Sequence, residues 1–467
     1  MQVKTHRLIA SKVDCLLINP PEHFARYPYL GLCYLAGALK SFGIKVAILD
    51  CTALKLKIEE VVKDIAFYQP AIIGISVMSM NLPTCYHLIQ AIKSAYPSAI
   101  IVVGGAHINA DPGIIGPMGV DYAFVGESEF AFAEFCATIL GGGKPVCLSG
   151  LVTNYEGIIS AQPASIVSDI DILPFPAYEL LPLNEYYSPL SKVKVVSAIT
   201  SRGCPYNCIY CGKLQKTPYR YLSIKKILEL IDRLVNHCGI QWIEFVDEIF
   251  TLNKAHVIDL CKSISEQNYV FSWGIGTRAD KIDEEIIYYL KKAGCQKIGF
   301  GVETGSERIR FLDQKMIANQ QYIDAVQLCH KYKIKTVGTF ILGHPTETKK
   351  EMLQTIKFAS QLSLDLAYIN KMIPIPNSKL FEQAKNSGRV AKNIWTSFML
   401  GEKPHPIYYP DTVMPKDMDR IYRWAWIRFY FSPLIIWRNL FIIFKPKYFY
   451  KAIKAFLISS SKKRYKV

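Results

Sequence analysis

Apolar and polar positions in the first 140 residues follow two alternating patterns. Short, nearly continuous apolar runs predict buried strands, and longer segments with apolar residues three or four apart predict helices. The strands are predicted over 13–18, 44–49, 71–77, 100–103 and 122–125. The helices are predicted over 31–42, 58–67, 84–95 and 130–140. This alternation is typical of a parallel sheet covered on both faces, so we expect a doubly wound, Rossmann-like α/β domain over residues 1–140.

A second series of strands and helices occupies residues 191–390. Six strands alternate with helical patterns such as 224–235 and 284–293. They are predicted over 195–200, 242–246, 272–275, 297–302, 336–341 and 367–371. Six strand–helix units predict a partial (β/α)6, TIM-like barrel, whose active site is expected in the loops at the carboxyl ends of the strands.

Two further stretches lack this alternation. Residues 141–190 open with three glycines and are rich in proline, which predicts a connector with one hairpin near 151–159. Residues 391–467 are aromatic, basic and partly helical, which predicts a C-terminal extension.

Composition narrows the functional classes. Half of the 467 residues are hydrophobic, so a disordered chain is excluded. The net charge of +16 is concentrated after residue 410, where 13 Lys and Arg face 3 Asp and Glu, so we expect no nucleic acid partner for the whole chain. The 13 cysteines are an odd number, and residues 1–10 lack an apolar leader, so we expect a reducing cytoplasm. No apolar run is long enough to predict a membrane span.

Three cysteines directly follow the first barrel strand. Cys204, Cys208 and Cys211 have the spacing C-x3-C-x2-C. Three thiolates within eight residues can bind one iron–sulfur cluster and leave one iron of a 4Fe–4S cube without a protein ligand. The alternative is a structural zinc site, which needs a fourth ligand such as Cys238 or His237.

The motif and its position resemble those of the radical S-adenosylmethionine (SAM) enzymes. In that family the open iron binds the amino and carboxylate groups of SAM. Tyr210 resembles the aromatic residue that lies along the adenine. Asp247 and Glu248, at the end of the second strand, resemble the acidic motif that receives the methionine amino group. Taken alone, such an acidic pair is also typical of a solvated loop or a helix cap.

The resemblance extends to the later strands. Arg278 follows the third strand and is expected to pair with the methionine carboxylate. Glu303, within Gly-Val-Glu-Thr-Gly-Ser, resembles the residue that binds the ribose hydroxyls, and Gly343 ends a segment that resembles the one beside adenine. The order of these motifs behind the cysteines implies a SAM site that covers residues 193–390.

Small and polar residues end three neighbouring strands of the N-terminal domain. They are Ser76, Gly104 with Gly105 and His107, and Gly126 with Glu127. Glycines let a bulky ligand approach the backbone, although ordinary βα turns have the same composition. The domain resembles the cobalamin-binding domain of cobalamin-dependent radical SAM enzymes, with mild departures at Ala106 and Ser128. Because the Asp-x-His-x-x-Gly signature is absent, we expect cobalamin without a histidine ligand and a hydrogen-bonding role for His107.

The combined resemblance implies a methyltransferase that acts on an unactivated carbon or phosphorus centre. A 5′-deoxyadenosyl radical would take a hydrogen atom from a small or lipid-like substrate, methylcobalamin would supply the methyl group, and a ferredoxin or flavodoxin would supply electrons. One alternative is a non-methylating radical enzyme, such as the anaerobic magnesium-protoporphyrin monomethyl ester cyclase. Another is a cobalamin- or redox-sensing protein that never cleaves SAM.

The extension has two interpretations. Trp424, Trp426 and Trp437 lie among Arg423, Arg428 and Arg438, and Lys462–Lys466 is basic. One interpretation is a helical cap over the barrel mouth, with arginines at its edge. The other is an element that contacts an anionic membrane surface, which would make a cytoplasmic enzyme peripheral to the membrane.

Overall fold

The computed structural model describes residues 12–22, 27–188, 193–212, 217–404, 406–432 and 435. Three expectations lie outside the described residues: the leader region 1–10, the Trp437 and Arg438 part of the aromatic tail, and the basic run 462–466.

A seven-stranded sheet forms the N-terminal half, in the order β2-β1-β3-β4-β5-β6-β7. The first five strands are parallel, and the last two are antiparallel. The strands are β1 (Cys15–Asn19), β2 (Val46–Asp50), β3 (Ile72–Ser76), β4 (Ile100–Gly104), β5 (Tyr122–Phe124), β6 (Leu151–Tyr155) and β7 (Ile158–Ala161). The helices are α1 (Leu30–Ser41), α2 (Cys51–Leu54), α3 (Ile58–Tyr68), α4 (Leu82–Ala95), α5 (Ala106–Ala110), α6 (Ile115–Met118) and α7 (Glu129–Leu140). This is the doubly wound domain that the apolar pattern predicts.

The hairpin predicted in the connector belongs to this sheet. Strand β6 pairs with β5, which would otherwise present an open parallel edge. The rest of the connector is also packed, because Tyr178 and Tyr186 are buried. The Tyr178 hydroxyl donates to the Ser197 carbonyl at 2.6 Å, and the Tyr186 hydroxyl donates to Asp50. The connector therefore joins both halves of the molecule.

The second half contains a six-stranded parallel sheet in the order β15-β14-β13-β12-β11-β8, as predicted for a partial barrel. The strands of this half are β8 (Val195–Ala198), β9 (Ser201–Cys204), β10 (Thr217–Tyr221), β11 (Trp242–Phe245), β12 (Ser272–Thr277), β13 (Cys295–Glu303), β14 (Lys335–Leu342) and β15 (Leu366–Lys371). The helices are α8 (Ile224–Asp232), α9 (Lys254–Glu266), α10 (Glu284–Lys292), α11 (Glu307–Leu312), α12 (Asn319–Lys331), α13 (Lys349–Gln361) and α14 (Lys379–Asn386).

Strands β9 and β10 form a separate two-stranded antiparallel ribbon that the sequence pattern did not predict. Its strands are short and rich in polar and charged residues, so neither has the apolar run of a buried strand. Cys204 is the last residue of β9, so the ribbon carries the first cysteine of the motif.

The C-terminal region contributes two helices, α15 (Ile394–Met399) and α16 (Pro415–Tyr430). Helix α15 packs on α4, and Trp395 and Phe398 join the core on that face of the N-terminal sheet. Helix α16 lies along α13 and the last strand, β15, where the Tyr430 hydroxyl donates to the Ala367 carbonyl at 2.6 Å. It therefore covers the edge of the half-barrel at β15, and its Met418 reaches the segment that follows β14. Within the described ranges, no helix has the length and apolar character needed to cross a membrane.

Candidate cluster, SAM and cobalamin sites

The cysteine motif lies on one loop at the carboxyl end of the first barrel strand. Cys204, Cys208 and Cys211 all have free thiols and are partly exposed. The loop is anchored through the backbone, because the N–H of Ile209 donates to the Asp313 carbonyl at 3.2 Å. Three accessible thiols on an anchored loop fit a cluster that is bound by three sulfur ligands.

The zinc alternative fits the structure poorly. Cys238 and His237 lie between α8 and β11, at the amino ends of the barrel strands, whereas the motif lies at the carboxyl ends. A four-residue strand separates these edges by roughly 13 Å.

The two acidic residues after β11 have different environments. Asp247 is buried and accepts hydrogen bonds from the Thr200 N–H at 3.0 Å, from the Thr200 hydroxyl at 2.8 Å and from the Ser201 hydroxyl at 2.5 Å. Burial raises the pKa of Asp247 to about 6, although these donors oppose the shift. Glu248 is exposed, and its carboxylate accepts from the Gly203 N–H at 3.2 Å. Asp247 therefore fixes the chain that leads into the ribbon, and Glu248 is the carboxylate accessible to a ligand.

A buried ion pair occupies the position predicted to bind ribose. The Lys315 ammonium lies 2.8 Å from the Glu303 carboxylate and 3.4 Å from the Tyr210 hydroxyl. Burial alone would lower the pKa of Lys315, but Glu303 and Tyr322 outweigh it and raise that pKa. Burial raises the pKa of the Cys208 thiol, and Lys315 is the first opposing influence. Lys315 thus links the predicted adenine and ribose residues to the cluster loop.

The backbone at Glu303 is unusual. Its φ is +65°, and the register between β13 and β14 shifts between Gly301 and Glu303. A non-glycine residue in the left-handed region costs about 1 kcal/mol or more and persists where the surroundings enforce it. Here Lys315 holds the carboxylate inside the barrel mouth.

Arg278 is held firmly against the cluster loop. Its Nε and Nη2 donate to the two carboxylate oxygens of Asp280 at 2.9 and 3.0 Å, and Nη2 also donates to the Lys315 carbonyl at 3.0 Å. The guanidinium lies 3.6 Å from the ring centre of Tyr206, between the first two cysteines. Arg278 therefore packs against the cluster loop, and its pairing with the methionine carboxylate stays a prediction.

The segment after β14 contains a second buried ion pair. Gly343 lies against Met418 of α16, so the C-terminal region closes this side of the site. His344 Nδ1 is 2.6 Å from Asp313 Oδ2, and the His344 ring packs edge-on to Tyr210 at 6.1 Å. Burial opposes protonation, but Asp313 and Glu347 raise the pKa of His344 to about 9.

The N-terminal residues surround a cavity of about 230 Å³ at the carboxyl ends of β1, β3, β4 and β5. We call this cavity the crevice. It lies at the point where the strand order reverses between β1 and β3, which is where open α/β sheets bind ligands. Its lining includes five of the six residues predicted to bind cobalamin, namely Ser76, Gly104, Gly105, Gly126 and Glu127. The small residues leave room for a bulky flat group, so the crevice fits part of a cobalamin.

His107, the sixth predicted residue, is fully buried and does not line the crevice. Its Nδ1 lies 2.9 Å from the Ser79 hydroxyl, and its ring packs on Trp395 at 5.1 Å. Burial lowers the pKa of His107 to about 4, so the ring is neutral near pH 7. The His107 ring is hydrogen-bonded within the protein, and its contact with cobalamin stays a prediction.

Sequence reasoning missed Lys315, His344 and two arginines, Arg202 and Arg220. Arg202 lines the crevice and lies two residues before Cys204 on the same strand, so one short strand adjoins both sites. Its position beside the cysteine motif was the available signal. The sequence carries no such signal for Lys315 and His344, because their partners Glu303 and Asp313 lie 12 and 31 residues away and no motif joins them.

Comparison with known proteins agrees with this arrangement. Residues 25–136 match the sequence model of the B12 binding domain, and residues 198–359 match that of the radical SAM superfamily. An uncharacterized methyltransferase of Pyrococcus horikoshii is 30% identical over 439 residues, which cover 91% of this chain and 94% of that protein. The anaerobic magnesium-protoporphyrin IX monomethyl ester cyclase of Rubrivivax gelatinosus is 26% identical over 386 residues, or 79% of this chain and 69% of that protein.

The fold is also similar to a solved structure. The radical S-adenosylmethionine methyltransferase TsrM from Kitasatospora setae, with cobalamin and a 4Fe–4S cluster bound, aligns with a TM-score of 0.74 and 16% identity, covering 91% of this chain and 92% of that one. The fold and the two sites therefore define a radical SAM enzyme with a cobalamin-binding domain. The chain belongs to the cobalamin-dependent radical SAM family, whose cofactors are a 4Fe–4S cluster, SAM and cobalamin.

Proposed function

We propose that this enzyme transfers a methyl group to an unactivated carbon or phosphorus centre. The observation that carries the proposal is the shared wall between the two sites: Arg202, two residues before Cys204, lines the crevice. A methyl donor in the crevice would then lie beside the strand that carries the first cluster ligand. The similarity to a methyltransferase over nearly the whole chain supports this choice.

The residues present suit the three cofactors. Cys204, Cys208 and Cys211 would hold the cluster. Tyr210, Glu248, Arg278, Glu303 and Gly343 would bind SAM, with Asp247 fixing the start of the ribbon, and Ser76, Gly104, Gly105 and Gly126 would line the cobalamin site. When bound, these groups supply a 5′-deoxyadenosyl radical and a transferable methyl group, and a ferredoxin or flavodoxin supplies the electron.

The protein's own contribution is to position the bound cofactors and to exclude water from them. Lys315 holds the Glu303 carboxylate directed into the barrel mouth, where it can accept hydrogen bonds from hydroxyl groups. Helix α16 closes the side of the mouth at Gly343. Both features restrict the motion of bound groups and limit side reactions with solvent.

The test is an anaerobic reconstitution with iron, sulfide, hydroxocobalamin, dithionite and SAM, followed by mass spectrometry of the nucleoside products. We expect 5′-deoxyadenosine together with S-adenosylhomocysteine, and neither above background in Cys211→Ala. Formation of 5′-deoxyadenosine without S-adenosylhomocysteine would instead favour the cyclase-like alternative, which the similarity to the magnesium-protoporphyrin ester cyclase supports. A protein that binds the cofactors but never cleaves SAM would be the sensor.

A second proposal concerns the exposed face of α16. Trp424, Ile427 and Phe431 are 43%, 43% and 66% exposed and recur at helical spacing. Arg420, Arg423 and Arg428 flank them and are also exposed. Exposed aromatic residues among arginines favour contact with an anionic membrane surface and suit a lipid-like substrate.

Sedimentation with vesicles tests this proposal. We expect binding to phosphatidylglycerol vesicles and little binding to phosphatidylcholine vesicles. The double variant Trp424→Ala/Phe431→Ala should lose most of the binding, whereas Tyr288→Ala, which removes an equally exposed aromatic on α10, should not. Equal binding by all three proteins would contradict the proposal.

A further inference from the structure

Two arginines lie directly opposite each other on the ribbon that carries Cys204. Arg202 of β9 pairs across the ladder with Arg220 of β10. Like charges at directly opposite positions destabilise a strand pair, and an isolated two-stranded ribbon is marginal in water. The ribbon therefore needs negative charge from elsewhere in the molecule.

That charge comes from the N-terminal domain. Glu127 accepts two hydrogen bonds from Arg220, at 2.7 and 2.8 Å, in the bidentate geometry that favours arginine. Glu129 accepts from Arg202 at 2.6 Å, and Glu127 lies 3.8 Å from Arg202. The four side chains are only 9–18% exposed, so solvent and salt screen these pairs weakly. We call these four residues the ion clamp.

Further contacts restrict the ion clamp. The Val167 N–H donates to Glu127 at 2.8 Å, and the Arg220 guanidinium donates to the Val167 carbonyl. Arg202 also lies 5.0 Å from the ring centre of Tyr34 on α1. The connector and the first helix thus hold the same group of charges.

The ion clamp lines the crevice and is joined to the cluster loop through the ribbon. Glu127, Glu129 and Arg202 line the crevice. Gly203, between Arg202 and Cys204, has a φ of +95°, and a side chain there would collide with the Pro218 carbonyl. Because Gly203 is packed tightly against the opposite strand, the backbone there cannot absorb a shift, and a displacement of Arg202 also displaces Cys204.

We propose that Glu127, Glu129, Arg202 and Arg220 are positioning residues that fix the cluster relative to the cobalamin. The motif Gly-Glu-Ser-Glu then acts mainly through the ribbon, and Glu127 does not act as a direct cobalamin ligand. The proposal rests on the cofactors of the family and is independent of whether a methyl group is transferred.

The test measures the separation of the two cofactors in the full-length reconstituted protein. Cob(II)alamin and the reduced cluster are both paramagnetic, so pulsed electron paramagnetic resonance gives their distance distribution. We expect one narrow distribution in the unaltered protein and a broad or shifted one in Arg220→Gln. Cobalamin affinity, followed by absorbance titration, should fall about tenfold in that variant. The control Lys254→Gln removes an exposed ion pair within the barrel and should change neither quantity.

A merely stabilising role predicts a different result. If Arg220→Gln unfolds at a lower temperature but keeps the distance distribution and the cobalamin affinity, the proposal is wrong. If Arg220→Gln fails to bind the cluster, Glu127→Asp keeps the charge and shortens the side chain by one methylene. That variant should still broaden the distribution, and an unchanged distribution in it would also overturn the proposal.

Hydrogen exchange provides an independent readout. Backbone amides of residues 201–204, 217 and 219–221 should exchange faster in Glu127→Gln, although Glu127 lies in the other domain. In Lys254→Gln they should exchange at the original rate. Unchanged exchange in Glu127→Gln would mean that the ribbon does not depend on the ion clamp.

Discussion

The crevice and the barrel mouth recognise their ligands by different means. The crevice is lined by glycines, two serines, an asparagine and mostly apolar side chains, and its charged groups are already paired within the ion clamp. The barrel mouth contains the buried pairs Lys315–Glu303 and His344–Asp313 and the buried Arg278–Asp280 contact. The crevice therefore binds a ligand through its shape and its accessible backbone, whereas the barrel mouth binds a ligand through charged groups held in fixed positions.

This difference follows from what each site must hold. Cobalamin presents a large surface, and small residues let the backbone approach it closely. SAM presents an ammonium, a carboxylate and hydroxyls, each of which needs a charged or polar partner. Buried charges are costly unless they are paired, so the barrel mouth keeps its charges paired within the protein. Substitutions in the crevice should therefore change fit, and substitutions in the barrel mouth should change both stability and binding.

The largest effect is expected from loss of a cluster ligand. Cys208→Ala should lower the rate of 5′-deoxyadenosine formation to background, a loss of roughly a thousandfold or more, because SAM has no iron to bind. Cobalamin affinity should stay within about twofold, because the crevice does not include Cys208. Mass spectrometry and absorbance titration measure the two quantities. The control is Cys147→Ala, which alters an exposed cysteine outside the motif. A parallel loss of cobalamin affinity in Cys208→Ala would contradict the separation of the two sites.

The next largest effect is expected at the buried lysine. Lys315→Met leaves Glu303 buried and unpaired, which should lower the free energy of unfolding by about 3 kcal/mol. SAM affinity should fall roughly tenfold or more, because Glu303 is no longer held in place. Denaturant unfolding and equilibrium dialysis with SAM measure these changes.

A double variant separates the two roles of Lys315. Lys315→Met/Glu303→Gln removes both charges and should recover most of the stability without restoring SAM affinity. Recovery of SAM affinity in the double variant would mean that the pair is structural only.

The pair of His344 and Asp313 predicts a pH effect. The folded-state pKa of His344 is about 9 against an ordinary value of 6.5. The stabilisation is therefore complete below about pH 6.5 and is lost as the pH rises through 9, amounting to about 3 kcal/mol. Thermal unfolding from pH 6 to pH 10 measures the decline. His344→Gln should start less stable and lack this slope, and an identical slope in both proteins would assign it to other groups.

The smallest effect is expected in the crevice. Gly126 has a φ of +79°, and a Cβ there would lie 2.5 Å from the Ala164 Cβ. Gly126→Ala should weaken cobalamin binding by about tenfold and leave 5′-deoxyadenosine formation unchanged. Gly157→Ala is a matched control, because its φ is +83° and no atom lies within 4 Å of a Cβ there. If the two variants bind cobalamin equally well, the packing around Gly126 does not determine the shape of the cobalamin site.

The sequence predicted those parts of the molecule that depend on local patterns. Apolar periodicity located both sheets, and the spacing of Cys204, Cys208 and Cys211 located the cluster loop. The position of small residues after strands located the crevice, because carboxyl ends of parallel strands meet at one edge. These signals all lie within a few consecutive residues.

The remaining features depend on contacts between distant segments. Glu127 and Arg220 are 93 residues apart, and no short motif joins them. The ribbon has no apolar pattern, because an ion clamp rather than a core holds it. Asp247 is bound by Thr200 and Ser201, whereas Glu248 remains accessible. This difference depends on residues about 47 positions away that only the fold brings close.

The packing of α15 on α4 has a consequence for synthesis of the chain. About 300 residues separate the end of α4 from Trp395, so that face of the first domain lacks its cover until most of the polypeptide has been made. At typical bacterial and eukaryotic elongation rates this interval lasts roughly 15–60 s. During that time an apolar surface is open to other nascent chains. We therefore expect a fragment that ends before α15 to aggregate more readily than the full chain, because it leaves this apolar face uncovered.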